Sequence, residues 1–353
     1  MVLAILYKAV IPADLLEYEI PKTEASIQTV NAARREAAEI IQQLDDRLLV
    51  VVGPCSIHDP QSALDYGTAL RQVADRLGNE LLIVMRAYLE KPQTSAGWKG
   101  FINDPYLNGT FEINKGLRMA RQLCVDLTDR GVPLATEFLG ALSPLYLADL
   151  MSVSAIGART AESPLHRELA SSVPFPVGFH NATSRDVRTA VEAIQAASTQ
   201  HQFISVTPEG RSAIASTPGN KSCFTVLRGA LSGTDNETEE VHSAIAQLRE
   251  ANQNPVVMID CSRDNTLRDA CDQLQIVQDV SALIAKGERA IIGTMIESNL
   301  VEGRQDVPLE GFSHLKHGLS ITNGCIGWGG TVGALESLAT AVQERRRIFA
   351  KSN

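Results

Sequence analysis

The chain of 353 residues contains no apolar run near the roughly 18 residues that a membrane-spanning helix needs. It has no excess of positive charge: 32 Lys and Arg against 41 Asp and Glu give a net charge of −9, which argues against a nucleic-acid partner. Its six cysteines (55, 124, 223, 261, 271 and 325) form no Cys-x-x-Cys pair and read as reduced thiols, most of them core filler. No low-complexity tract, fixed-period repeat or Gly-rich phosphate turn is present. Met1 to Val10 is mildly apolar but carries Lys8 and is soon followed by acids, so no signal peptide is readable. These absences point to a cytosolic protein with neither membrane nor nucleic acid as partner.

Apolar residues make up 44% of the chain, enough for a sizeable core. Eight short apolar runs recur: Leu48–Val52, Leu81–Met85, Pro133–Phe138, Ala155–Ala158, Pro176–Phe179, Gln202–Val206, Val256–Ile259 and Ala290–Met295. Most are apolar throughout, as strands buried on both faces should be. Helical patterns alternate with them, for example Gln61–Arg76, Asn114–Arg130, Glu237–Ala251 and Thr331–Ala350. Eight alternations predict an α/β fold, a (β/α)8 TIM barrel spanning 47–353, and a doubly wound open sheet is the alternative. Residues 1–46 form an N-terminal extension with a helix-like stretch, Glu24–Asp45. Residues 208–230 read as a β-hairpin insertion after the sixth strand, folded over the barrel mouth.

The residues at the strand ends are Cys55, Arg86, Glu137, Arg159, His180, Thr207, Asp260 to Arg263, and Glu297. Polar groups where barrel strands end mark an active site. Arg86, Lys91, Arg159 and Arg228 add four positive charges, a set suited to phosphate and carboxylate groups. Separate surface ion pairs are the bland explanation, and it weakens as the number of such residues grows.

At this point the chain resembles the class I 3-deoxy-D-arabino-heptulosonate-7-phosphate (DAHP) synthases. The resemblance rests on Gly-Pro-Cys-Ser-Ile-His-Asp at 53–59, Arg86 with Glu-Lys-Pro at 90–92, and Gly-Trp-Lys-Gly at 97–100 with Asn103-Asp104-Pro105. Ile-Gly-Ala-Arg-Thr at 156–160, His-Arg-Glu-Leu-Ala-Ser at 166–171, Leu-Arg-Gly at 227–229, Glu297-Ser298 before Leu-Val-Glu-Gly, and Cys-Ile-Gly-Trp at 325–328 complete it. It implies condensation of phosphoenolpyruvate with erythrose 4-phosphate, a first step of the shikimate pathway. By the same resemblance, Arg86, Lys91, Arg159 and Arg228 surround phosphoenolpyruvate. The N-terminal segment and hairpin carry subunit contacts of a homodimer or homotetramer and, in many members, an aromatic amino-acid feedback site.

The chain departs from that pattern. The family holds a divalent metal with cysteine, histidine, glutamate and aspartate; here Cys55 and Glu297 match, but Arg263 and Asn323 stand at the other two positions. Arginine has no lone pair for a metal, and an asparagine oxygen is a weak, neutral ligand. His180 replaces a family lysine, Gln93 replaces an arginine that holds the sugar phosphate, Thr94 matches, and Pro174 replaces a serine of the feedback region. The expectation is therefore a diverged enzyme with no cofactor, unless the family site still takes a manganese-, zinc- or iron-type ion. Its anion pocket (Arg86, Lys91, Thr94, Arg159, His180, Arg228) would serve a different small anionic substrate. Catalysis would fall to Lys91, His180, Arg263, Glu297 and Cys55, with Arg263 paired to Glu297. A genuine DAHP synthase and a non-catalytic regulatory paralogue are the alternatives.

Overall fold

The computed structural model describes residues 7–92, 97–183, 186–228, 237–262, 271–307 and 314–352. Two helices, α1 (Ala13–Glu19) and α2 (Glu24–Ile41), precede the first strand, β1 (Leu48–Gly53). The alternation then runs α3 (Pro60–Leu77), β2 (Leu81–Arg86), α4 (Ile113–Asp129), β3 (Leu134–Glu137), α5 (Pro144–Leu147), β4 (Val153–Ile156), α6 (Pro164–Ser172), β5 (Val177–His180) and α7 (Arg188–Ala197). An antiparallel hairpin, β6 (His201–Val206) and β7 (Ser212–Thr217), follows. The chain continues through β8 (Cys223–Arg228), α8 (Glu237–Glu250), β9 (Val257–Asp260), α9 (Cys271–Ala285), β10 (Ile291–Glu297) and α10 (Trp328–Ser352). Eight strands close a barrel in the order β1-β10-β9-β8-β5-β4-β3-β2, and every pair in it is parallel.

The expected (β/α)8 barrel is present, but one strand was misplaced. Gln202–Val206, read from sequence as the sixth barrel strand, belongs to the hairpin, and Cys223–Arg228 takes its place in the barrel. The hairpin therefore lies before the sixth barrel strand, not after it at 208–230. The physical reason is burial. β8 is buried along almost its whole length, whereas β6 alternates between half-buried and exposed residues, the period-two pattern of a strand with one face in water. Thr207 consequently sits in the hairpin turn, its N–H bonded to Arg211 O at 2.8 Å, and not at the barrel mouth.

Strand residues divide between two cores. Leu48, Val50 and Val52 pack outward against the helices, while Leu49 and Val51 point into the barrel with Leu82, Val84, Ala155, Val226 and Met258. Ala37, Ile40 and Ile41 of α2 join that inner cluster, so the N-terminal helix closes the base of the barrel. The start of α1 donates two N–H groups, from Ala13 and Asp14, to Pro208 O in the hairpin turn. Among the described residues no helix is long and apolar enough to cross a membrane.

Gly293 shows how tightly the barrel closes. It lies in β10 beside a register irregularity against β9, and a Cβ built on it would come within 1.8 Å of Leu49 O on β1. A glycine inside a strand marks such an approach of two backbones. Gly293→Ala must therefore push β1 and β10 apart, and it is expected to cost about 3 kcal/mol in urea unfolding.

Candidate active site

The mouth of the barrel is built from two groups of neighbouring strands. The first comprises β2, β1 and β10. Their register sets Gly53 beside Glu297 and Val52 beside Met85, so Arg86 and Glu297 flank Gly53. Gly53 has no side chain to separate them; a Cβ there would lie 3.1 Å from Arg86 N and 3.3 Å from Arg86 Cβ. Arg86 Nη2 donates to Glu297 Oε1 at 3.2 Å, with both residues buried. The guanidinium also donates to Pro54 O and stacks 3.9 Å from the centre of the Tyr88 ring. Burial alone would lower the Arg86 pKa, but Tyr88, Glu297, Cys55 and Asp260 outweigh it and raise it.

Cys55 follows the Gly-Pro break at the end of β1 and is fully buried. Lys91 Nζ donates to Cys55 O at 3.0 Å and lies 3.1 Å from Cys55 Sγ. Burial and the nearby Glu297 raise the Cys55 thiol against the pull of Lys91 and Arg86. For Lys91, burial opposes the charge, but Cys55 and Glu297 prevail and the ammonium is held above its ordinary range. Asn323 Nδ2 donates to Glu297 Oε2 at 3.3 Å. Gln273 on α9 clamps the Glu297 backbone through both its N–H and its carbonyl, at 2.8 and 3.0 Å.

The second group comprises β4, β5, β8 and β9. His180 ends β5, with Nδ1 3.2 Å from Ile156 O and Nε2 3.1 Å from Asp260 Oδ2. Arg228 ends β8, with Nε 3.2 Å from Ser262 O and 3.8 Å from Asp260 Oδ2. Asn181 ties β5 to β8 by accepting from Arg228 N at 2.9 Å. Burial would raise the Asp260 carboxyl, but the His180 contact and the charges of Arg228 and Arg86 hold it well below the usual carboxylate range. Arg159 follows β4 and is exposed. Glu137 at the end of β3 lies where Gly157 leaves room: a Cβ at Gly157 would stand 2.5 Å from Glu137 Oε1.

Of the residues singled out in the sequence, Cys55, Arg86, Lys91, Glu297 and Asn323 therefore converge on one side, and His180 and Arg228 on the other. Gln93, Thr94 and Arg263 lie outside the described residues. The expected Arg263–Glu297 pair therefore also lies outside the described residues, among which Glu297 has a cationic partner in Arg86. Asp260 was named among the strand-end residues but given no role, and Asn181 and Gln273 were missed. Asp260 and Asn181 were legible as polar residues at the ends of apolar runs, but nothing in the sequence signals Gln273.

A divalent metal is implied by the family resemblance. Among the described residues no group of three His, Cys, Asp or Glu side chains is arranged to hold one. The donors present are the Cys55 thiol, its pKa raised by burial, the Glu297 carboxylate already hydrogen-bonded by Arg86 and Asn323, and a neutral amide. That set does not fit a transition-metal ion.

Two outcomes test this geometry. Arg86→Met leaves Glu297 buried without its cation and is expected to cost about 3–5 kcal/mol in unfolding free energy. His58, in the loop after Cys55, is lowered by burial from 6.5 to about 4. The unfolded chain therefore takes up a proton that the folded chain refuses, and stability falls as pH drops from 6.5 towards 4, by about 3 kcal/mol in all. Thermal melts across that window should decline, and His58→Gln should flatten the decline.

The DAHP synthetase I family matches residues 22–336. Phospho-2-dehydro-3-deoxyheptonate aldolase AMT16 of Alternaria alternata is 49% identical over 98% of this chain and 93% of its own length. The Phe-sensitive phospho-2-dehydro-3-deoxyheptonate aldolase of Escherichia coli K12 is 49% identical over 95% of each chain. A solved phospho-2-dehydro-3-deoxyheptonate aldolase from Francisella tularensis SCHU S4 superposes with a TM-score of 0.92 at 47% identity, covering 96% of this chain and 98% of that one. A barrel of this topology, a mouth with these residues and identity sustained along almost the whole length lead to one assignment: the chain belongs to the DAHP synthetase I family of enzymes.

Proposed function

We propose that the chain is a genuine DAHP synthase, joining phosphoenolpyruvate to erythrose 4-phosphate. The observation that carries this reading is identity of 45–49% over nearly the full chain to relatives named as phospho-2-dehydro-3-deoxyheptonate aldolases. It corrects the expectation of a diverged enzyme serving a different substrate. That expectation gave Arg263, Asn323, His180 and Gln93 more weight than the continuity of the rest of the chain. Substitutions at four positions are a narrower observation than agreement along the whole barrel.

In this reading the mouth works by charge placement. Arg159 makes no ion pair among the described residues and is open to a phosphate or carboxylate. Arg228 and His180 approach from the next strands, and Arg86 and Lys91 complete the positive lining. The enolpyruvate carbon then bonds to the aldehyde carbon while the carbonyl electron pair moves onto the aldehyde oxygen, which takes a proton. Water adds at the enolpyruvate C2, and the C2–O bond to the phosphate breaks to release inorganic phosphate and leave the keto group. The Lys91 ammonium, kept charged by its anionic neighbours, offsets the negative charge that grows on the aldehyde oxygen. The contacts of Glu297 with Arg86 and of Asp260 with His180 and Arg228 orient these side chains before substrate arrives.

The same reading assigns the protein to the cytosol, which is supported by five cysteines that stand buried as free thiols. A homo-oligomer is supported by Ile204 and Ile214, which face each other on the hairpin at 85% and 78% exposure.

Purified protein supplied with both substrates should consume phosphoenolpyruvate in proportion to a new seven-carbon keto acid phosphate. No consumption across pH 6–9 with manganese, zinc or iron(II) added would overturn the reading. Arg159→Ala removes a charge-assisted contact of about 1.5–3 kcal/mol and should raise the KM for phosphoenolpyruvate ~10–100-fold, measured by the same assay.

A further inference from the structure

Asp260 is a buried carboxylate at the end of β9 that meets groups from three other places in the barrel mouth. Its Oδ2 lies 3.1 Å from His180 Nε2 and 3.8 Å from Arg228 Nε. Its Oδ1 accepts from Ser262 N at 2.9 Å and from Ser262 Oγ at 2.7 Å, which fixes the carboxylate plane. Ser262 O in turn receives Arg228 Nε at 3.2 Å. The barrel order explains why this contact is unusual. Arg228 and Asp260 are register partners on adjacent strands, whereas β8 separates β5 from β9, so the His180–Asp260 contact reaches past an intervening strand. His180 is held at its other nitrogen by Ile156 O on β4. One carboxylate therefore joins side chains of β5, β8 and β9 into a single array, with the Ile156 carbonyl of β4 holding the far side of His180.

We propose that Asp260 is a positioning residue: it sets His180 and Arg228 in fixed orientation to one another, and so shapes the half of the pocket that receives the phosphoenolpyruvate anion. The inference rests on the functional reading above for the identity of that anion. Two effects of the carboxylate oppose each other. As a negative charge it weakens the pull of the pocket on an anionic substrate. As an anchor it prevents two flexible side chains from searching their rotamers in the mouth. The anchor dominates, because the carboxylate is itself locked by Ser262 and because misplacing a binding group by about 1 Å costs up to ~100-fold in rate.

Asp260→Asn keeps the shape and removes the charge. It is expected to raise the KM for phosphoenolpyruvate about tenfold or more while leaving the KM for erythrose 4-phosphate unchanged. A role confined to holding the fold would lower the melting temperature and the active fraction without separating the two KM values, and that result overturns the proposal. Tighter binding of phosphoenolpyruvate by Asp260→Asn also overturns it, since the carboxylate would then act only through its charge. If Asp260→Asn does not fold, Asp260→Glu keeps the charge and displaces the oxygens by one methylene. A raised phosphoenolpyruvate KM in Asp260→Glu supports positioning, and a wild-type KM refutes it. Equilibrium binding of phosphoenolpyruvate to both proteins keeps this inference separate from the functional reading. Wild-type protein that binds but does not turn over refutes the reading, and weaker binding by Asp260→Asn then still sustains the inference. Turnover with unchanged KM and binding in the variant refutes the inference alone, and wild-type protein that neither binds nor turns over refutes both.

Discussion

The buried contact between Arg86 and Glu297 is the constraint around which this barrel mouth is organised. It joins the ends of β2 and β10 across the glycine that ends β1, and all three strands lie side by side. Neither charge tolerates that depth alone, because removing a charged group from water without a partner is costly. Placed together, they fix the position of the loop that carries Cys55, and Lys91 then finds both an acceptor and a negative field. The Gln273 clamp on the Glu297 backbone and the Asn323 amide on its second oxygen leave this carboxylate little freedom.

The opposite side of the mouth repeats the same design with different residues. Asp260 stands where Glu297 stands in the first group, and His180 and Arg228 take the role of Arg86. The positive lining therefore includes Arg86 and Arg228 set beside carboxylates by strand-end geometry, Lys91 held by Cys55, and Arg159, which makes no ion pair among the described residues. In the proposed reading such a surface is organised for an anion before one arrives, since Arg86, Lys91 and Arg228 are already oriented by neighbouring groups. The closed lower end, plugged by α2, and the hairpin tied to α1 through Pro208 leave the C-terminal ends of the strands as the working face.

Much of this was legible in the sequence, for a physical reason. A strand buried on both faces is largely apolar, and seven of the eight barrel strands were legible as short apolar runs, although β3 carries Thr136 and Glu137. The hairpin strand β6 misled because Phe203, Ile204 and Val206 have the composition of a barrel strand. Its period-two burial was the distinguishing mark, as Ile204 faces outward on the hairpin. The strand-end residues were also legible, since Cys55, Arg86, His180 and Glu297 each interrupt an apolar run. Their pairing was not. Which cation meets Glu297 depends on the register of β1 with its two neighbours and on the absence of a side chain at Gly53, and neither is written in the local sequence. Asp260 was legible as a strand-end residue, but its contacts with His180 and Arg228 depend on the register of β5, β8 and β9. Arg263, Asn323, His180 and Gln93 taken alone suggest a change of substrate, whereas identity along the rest of the chain supports the family reaction.

The claim at the centre of this account is that the two cation–carboxylate groups of the mouth form one anion pocket. A crystal structure of the protein with phosphoenolpyruvate tests it most directly. The account predicts the ligand at the C-terminal end of the barrel, its charged groups in contact with Arg159 and Arg228 and within reach of Lys91, with the Arg86–Glu297 and His180–Asp260 contacts intact. Ligand found only elsewhere, for instance in the cavity of about 300 Å³ beside Arg34 and Phe175 at the base of the barrel, would contradict it, as would a mouth left unfilled at saturating concentration.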